Sequence, residues 1–149
     1  MSDLERFVLA QEDIYAGYIQ ALTEMEEGRK VGHWIWYIFP QLKGMGRSYN
    51  SDYYGIESLV EARDYLAYEG LGKNLREISR MLLRHKDEEI EAIMGSRTDA
   101  VKLRSSMTLF DLASPGDEFG EVLDAFYGGK RDPRTLRLLG LGPGGTNTH

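Results

Sequence analysis

The chain has 149 residues, 24 acidic against 18 basic for a formal net charge of −6, and no cysteine. That length suits one domain with its own core. The missing thiols exclude disulfides, thiolate zinc sites and thiol catalysis, and the acidic balance makes nucleic acid a poor partner.

No apolar run approaches the roughly 20 residues of a membrane span. No basic start leads into an apolar stretch, so a secretory signal is not expected and the setting reads as cytoplasmic.

In chain order, the first segment is expected to be one long helix. Ser2 and Glu5 form a capping box, and Leu4, Phe7, Val8, Ile14, Tyr15, Tyr18, Ile19, Leu22 and Met25 follow at helical steps. Gly28 supplies the exit. Residues 33–41 read HWIWYIFPQ and hold both tryptophans. With no second strand-like run to pair with, this stretch is expected to be a short buried helix stopping at Pro40. Residues 42–52 are expected to be a functional loop.

Ser58 and Glu61 open the next helix, which runs to about Tyr68 before Gly70 and Gly72 break the chain. A further helix carries Leu75, Ile78, Met81 and Leu82 and ends near His85. Asp87 is the expected cap of a short helix stopped by Gly95. Thr98 or Asp99 starts another through Val101, Leu103, Met107 and Phe110. Ser114-Pro115 and Asp132-Pro133 each place a capping side chain before a proline at the first helical position. The first opens a helix with Phe119, Val122, Leu123 and Phe126, ended by Gly128-Gly129. The second opens one with Leu136 and Leu139. The expectation is all-α, a multihelical single domain of seven to eight helices over residues 1–140, with a flexible tail from 141 to 149.

Two constellations carry chemistry. On a helix, His33, Trp36, Tyr37 and Pro40 share one face and Trp34, Ile38 and Gln41 another. One face meets the core; the other is free to line an aromatic pocket whose ligand's edge His33 and Gln41 could read. The plainer alternative is that both tryptophans are core anchors. In TDAVKLRSSMTLF, Lys102 stands three residues after Asp99 and three before Ser105. A serine beside a lysine can be a nucleophile if the lysine is desolvated, but a carboxylate neighbour favours the charged lysine. Ion pairing with small residues at a helix crossing is therefore the better account. The cations Lys130, Arg131, Arg134 and Arg137 read as a solvated helix face rather than a phosphate site. The three histidines have no ligand spacing, so no metal is expected, and no cofactor motif is present.

The strings RFVLAQ, HWIWYIFPQLKGMG and KLRSSMTLF resemble, in order and over nearly the whole chain, a small bacterial family of unknown function whose members are often labelled "calpastatin". The resemblance implies a multihelical domain and no established activity. In two places the chain departs from the family's pattern. Gly32 stands where a serine or threonine often precedes the histidine, which removes a hydroxyl that could orient His33. Glu69-Gly70 stands where His-Pro often precedes Leu-Gly. RFVLAQ is also similar to an aromatic-to-Ala-Gln string in a helical family associated with NAD and ADP-ribose processing, an analogy limited to a few residues.

These features lead to a binding module for a small planar or ribosylated ligand, with His33, Trp34, Trp36, Gln41, Lys102, Ser105, Ser106 and Thr108 as the candidate binding residues. A hydrolase of N-glycosidic bonds is the alternative, its acid undecided among Glu12, Asp52, Asp99 and His33. A protein-interaction fold without a small-molecule site is the third. Oligomeric state is left open.

Overall fold

A computed structural model describes residues 3–142 and shows, among them, ten helices and no strand. The all-α expectation holds, but the helix number exceeds seven to eight for two reasons.

First, the expected long helix is two, α1 (Glu5–Gln11) and α2 (Tyr18–Glu27). Between them the Asp13 carboxylate accepts the backbone N–H groups of Tyr15 and Ala16, each at 2.8 Å, and so offers the backbone a turn in place of the helix. The chain then doubles back so tightly that a Cβ at Gly17 would lie 2.1 Å from the Asp13 carbonyl oxygen. Ile14 and Tyr15, expected in the apolar stripe, are about four-fifths exposed at 81% and 82%. The Ser2 half of the expected capping box lies outside the described residues, and Leu4 stands as N-cap with no side-chain bond.

Second, the expected loop after Pro40 contains a helix. After α3 (Ile35–Ile38), α4 (Tyr49–Tyr53) starts at Ser48, whose Oγ accepts the N–H of Ser51 at 3.1 Å. A single parallel bridge between Leu42 and Ile56 closes this segment: Ile56 N donates to the Gln41 carbonyl and Lys43 N to the Ile56 carbonyl, both at 2.8 Å.

The remaining helices are α5 (Leu59–Ala67), α6 (Glu69–Leu83), α7 (Ile90–Met94), α8 (Arg97–Ala113), α9 (Glu118–Tyr127) and α10 (Pro133–Leu138). Ser58 caps α5 as expected, but the Glu61 carboxylate takes the N–H of Glu57 at 3.0 Å and not that of Ser58. Gly70 and Gly72 lie within the first turn of α6 and do not break it. Glu89, Ser96 and Asp117 stand at the N-caps where Asp87, Thr98 or Asp99, and Ser114 were expected. Asp132 and Pro133 open α10 as the sequence predicts, and Gly28, Gly95 and Gly128 end α2, α7 and α9 in the left-handed conformation. From residue 143 the expected tail lies outside the described residues; Leu141 is held by its N–H to the Leu136 carbonyl at 2.8 Å.

Helix α8 is the axis of the fold. It packs against α3, α5, α7, α9 and α10, and from Ser105 to Phe110 it is wholly buried. A file of rings crosses the core beside it: Phe7 to Tyr65 at 5.1 Å, Tyr65 to Phe110 at 5.3 Å, and Phe110 to Phe119 at 5.8 Å. Full burial of such a side chain contributes roughly 1.5–3 kcal/mol relative to exposure. This packing sets α3 and the turn after Pro40 against the amino-terminal half of α8.

Candidate functional site

Trp34 and Trp36 have different surroundings. Trp34 is completely buried, packs on Phe39 at 6.2 Å, and donates its indole N–H to Glu24 Oε1 at 3.0 Å. The same carboxylate oxygen accepts Val31 N at 2.7 Å and Gly32 N at 2.9 Å, while Oε2 takes Gln20 Nε2 at 2.7 Å. Burial alone would raise the Glu24 carboxyl, but the bonds from Gly32, Gln20, Val31 and Trp34 outweigh it and hold the group below its ordinary 4.5. Lys30, buried nearby, pairs with Asp99 Oδ2 at 2.7 Å and lies 5.0 Å from the centre of the Trp34 ring.

Trp36 is half-buried. The Lys102 ammonium lies 5.1 Å from the centre of its ring, and its indole Nε1 is buried with no acceptor among the described residues. Lys102 keeps only a loose approach to Asp99, at 3.9 Å.

Beside this pair opens a cleft of about 340 Å³ whose wall includes Gln41, Met45, Arg97, Thr98, Lys102 and Arg134. It brings the exit of the tryptophan segment onto the first turns of α8 and the start of α10. Arg134 spans the opening, donating to the Met45 carbonyl at 3.0 Å and towards the Gly44 carbonyl at 3.5 Å.

Of the residues singled out in the sequence, Gln41 and Lys102 line the cleft; Trp36 is not on its wall and meets it only through the Lys102 ammonium over its ring. His33 is exposed on the turn before Trp34 and is not on its wall. The hydroxyls of the SSMT string point to packing. Ser105 Oγ meets Thr135 Oγ1 at 2.9 Å, and Thr108 Oγ1 donates to the Arg104 carbonyl at 2.8 Å and accepts Asp132 N at 2.9 Å. Asp132 Oδ2 in turn accepts both the N–H of Thr135, at 2.9 Å, and its hydroxyl, at 2.6 Å. These bonds fasten α10 to α8. Ser106 is fully buried and its hydroxyl has no partner among the described residues.

Sequence reasoning missed Met45, Arg97 and Thr98 on the cleft, and took Arg134 for a solvated charge. The KRDPRTLR run is divided in space. Arg131 pairs with Asp111 Oδ2 at 2.8 Å, whereas Arg134 faces the cleft. Glu24 was missed as well, although its position between Ala21 and Met25 put one carboxylate on an otherwise apolar face.

In the RFVLAQ string Arg6, Phe7 and Gln11 are buried, and the two polar ones brace the fold. Arg6 is buried, donating to the carbonyls of Tyr53 at 2.8 Å and Gly55 at 2.9 Å and to Glu61 Oε1 at 3.3 Å. Gln11 donates to the Tyr37 carbonyl at 2.8 Å and the Tyr65 hydroxyl at 3.0 Å, and accepts from Asn74 at 2.9 Å. It thus joins α1, α3, α5 and α6 through one side chain.

A family model described as "Protein of unknown function (DUF1810)" matches residues 1–139. The crystal structure of the conserved hypothetical protein Rv1873 from Mycobacterium tuberculosis is similar, with 42% identity and a TM-score of 0.87, covering 94% of this chain and 98% of that one. No curated protein matches. Among the described residues, no helix is long and apolar enough to cross a membrane.

Proposed function

We propose that this chain, which belongs to the DUF1810 family of proteins of unknown function, is a small-molecule binding module whose site is the cleft between the exit of the tryptophan segment and α8. One observation carries the reading: Gln41 of the first constellation and Lys102 of the second, 61 positions apart in the sequence, line the same opening of about 340 Å³. That volume is within the range of small-ligand sites, which combine apolar walls with a few convergent polar groups. Met45 and Val101 supply apolar wall, Gln41 and Thr98 supply hydrogen bonds, and the Trp36 ring backs Lys102. A planar or ribosylated compound suits such a lining.

Intrinsic fluorescence of the full chain, titrated with a set of nucleosides and nucleotides, tests the proposal. Trp34 is sealed from solvent, so a ligand-dependent change reports on Trp36. The change should vanish in Trp36→Phe and weaken in Gln41→Ala. Emission that stays constant across the whole set, with calorimetry also silent, sinks the reading. The hydrolase alternative has no comparable support, because Glu12 and Asp52 are exposed off the cleft wall and Asp99 is ion-paired to Lys30.

A further inference from the structure

The charges around the cleft are unevenly matched. In a chain of net charge −6, its wall gathers Arg97, Lys102 and Arg134, with Asp132 as the one carboxylate. Asp132 is already engaged: it is buried and its Oδ2 caps α10 and holds the Thr135 hydroxyl. Among the described residues Arg97 makes no ion pair, Arg134 meets only backbone carbonyls, and Lys102 stands 3.9 Å from an Asp99 whose other oxygen is bound to Lys30 at 2.7 Å.

Arg97 is also placed against the local field. It is the first residue of α8, a helix of 17 residues, where the macrodipole presents positive charge and disfavours a cation. Helix stability gains nothing from a guanidinium there, whereas an anion in the adjoining cleft would gain from both. Lys102 itself lies over the Trp36 ring, at 5.1 Å from its centre, with no close carboxylate partner. Guanidinium and ammonium donors thus line the cleft with no free carboxylate among its walls. A larger cleft of about 720 Å³ beside α10 also gathers four cations, Arg104, Lys130, Arg131 and Arg137, but two of them are already engaged. Its Arg104 donates to the Lys130 and Arg131 carbonyls and its Arg131 pairs with Asp111, and its wall reaches Gly142, the last described residue.

The geometry points to an oxyanion as the group the cleft recognises: the ligand carries a phosphate or carboxylate that engages Arg97 and Lys102, with Arg134 closing over it from the turn at Gly44 and Met45. This inference rests on the binding function proposed above and adds the chemical class of the ligand. Guanidinium and ammonium groups give charge-assisted hydrogen bonds to such oxygens, about twice as strong as neutral ones.

Calorimetry on the full chain with nucleosides, their 5′-monophosphates and benzoate separates the possibilities. Each monophosphate should bind about tenfold or more tightly than its nucleoside, the ratio expected for one or two charge-assisted bonds. That advantage should shrink in Arg97→Gln and Lys102→Met and with added salt. Binding of benzoate with the same dependence on Arg97 would assign the site to carboxylates instead of phosphates and also support the inference. Equal affinity for nucleoside and monophosphate, or an anion preference untouched by Arg97→Gln, overturns the inference while leaving the binding module standing. Silence from every compound overturns both. Arg97 is exposed, so its substitution leaves the core intact, and an unchanged far-UV spectrum and Tm verify that.

Discussion

Glu24 Oε1 accepts the Trp34 indole N–H at 3.0 Å, inside a turn whose backbone N–H groups from Val31 and Gly32 point at the same oxygen. A single carboxylate of α2 therefore fixes the entry to the HWIWYIFPQ segment. Trp34 is consumed by the fold, whereas Trp36, two residues on, is half-buried under Lys102, a residue of the cleft wall. The segment holds, two residues apart, a sealed core anchor and a half-buried ring.

The sign of the Glu24 effect on stability follows from its bonds. Its folded carboxyl lies below the ordinary 4.5, so it contributes stability that is present above the unfolded value and lost as pH falls through the folded one. Glu24→Gln should cost about 1.5–3 kcal/mol near neutrality, the range for hydrogen bonds to a charged group. The gap in urea midpoint between the two proteins should close as pH is lowered from about 7 to about 3. A gap independent of pH would mean that the charge of Glu24 is not what matters.

The two tryptophans should separate in a stability measurement. Trp34→Ala removes a fully buried ring together with an acceptor's partner and should cost about 3–5 kcal/mol. Trp36→Phe keeps most of the apolar contact and removes an indole N–H that has no acceptor, so its cost should stay under about 1.5 kcal/mol. Chemical denaturation followed by circular dichroism distinguishes them, and equal losses would refute the division of roles.

Much of this was legible in the sequence because the responsible forces are local. The Ser58 and Asp132 caps and the glycine exits at Gly28, Gly95 and Gly128 act within a turn or two, and each appears where expected. The break between α1 and α2 was not legible, because Ile14, Tyr15 and Ile19 continue the period on the surface and only Asp13 and Gly17 mark the turn. Gln41 and Lys102 were chosen from separate strings, and the cleft joins them. Arg97 and Met45 became visible only once α8 and the Gly44 turn were placed together. Conversely, Ser105 and Thr108 looked chemical in the string but serve α10, because nothing local reveals that Thr135 and Asp132 lie opposite.

Gly70 and Gly72 sit in the same turn of α6 and should respond in opposite directions. A Cβ at Gly70 meets nothing within 4 Å, whereas one at Gly72 would stand 2.0 Å from the Leu66 carbonyl oxygen. Gly70→Ala should stabilise by about 0.4–1 kcal/mol through a less disordered unfolded chain. Gly72→Ala should destabilise by about 1–3 kcal/mol, as overpacking does, because α5 and α6 must move apart. Thermal melts of the two variants check this, and a stabilising Gly72→Ala would show that the corner yields freely.

Neighbouring serines on α8 offer the sharpest separation of packing from hydrogen bonding. Both are fully buried, but Ser105 is bonded to Thr135 and Ser106 to nothing among the described residues. Removing the Ser105 hydroxyl should cost about 0.5–1.5 kcal/mol, the net value of a typical hydrogen bond, and loosen α10 with it. Removing the Ser106 hydroxyl takes away an unpaired buried polar group, so Ser106→Ala should be neutral or stabilising by up to about 1–3 kcal/mol. Hydrogen exchange at the α10 amides adds a readout that overall stability does not. Faster exchange there in Ser105→Ala and unchanged exchange in Ser106→Ala is the expected pattern. A large loss of stability in Ser106→Ala would refute the reading of its hydroxyl as an unpaired buried group.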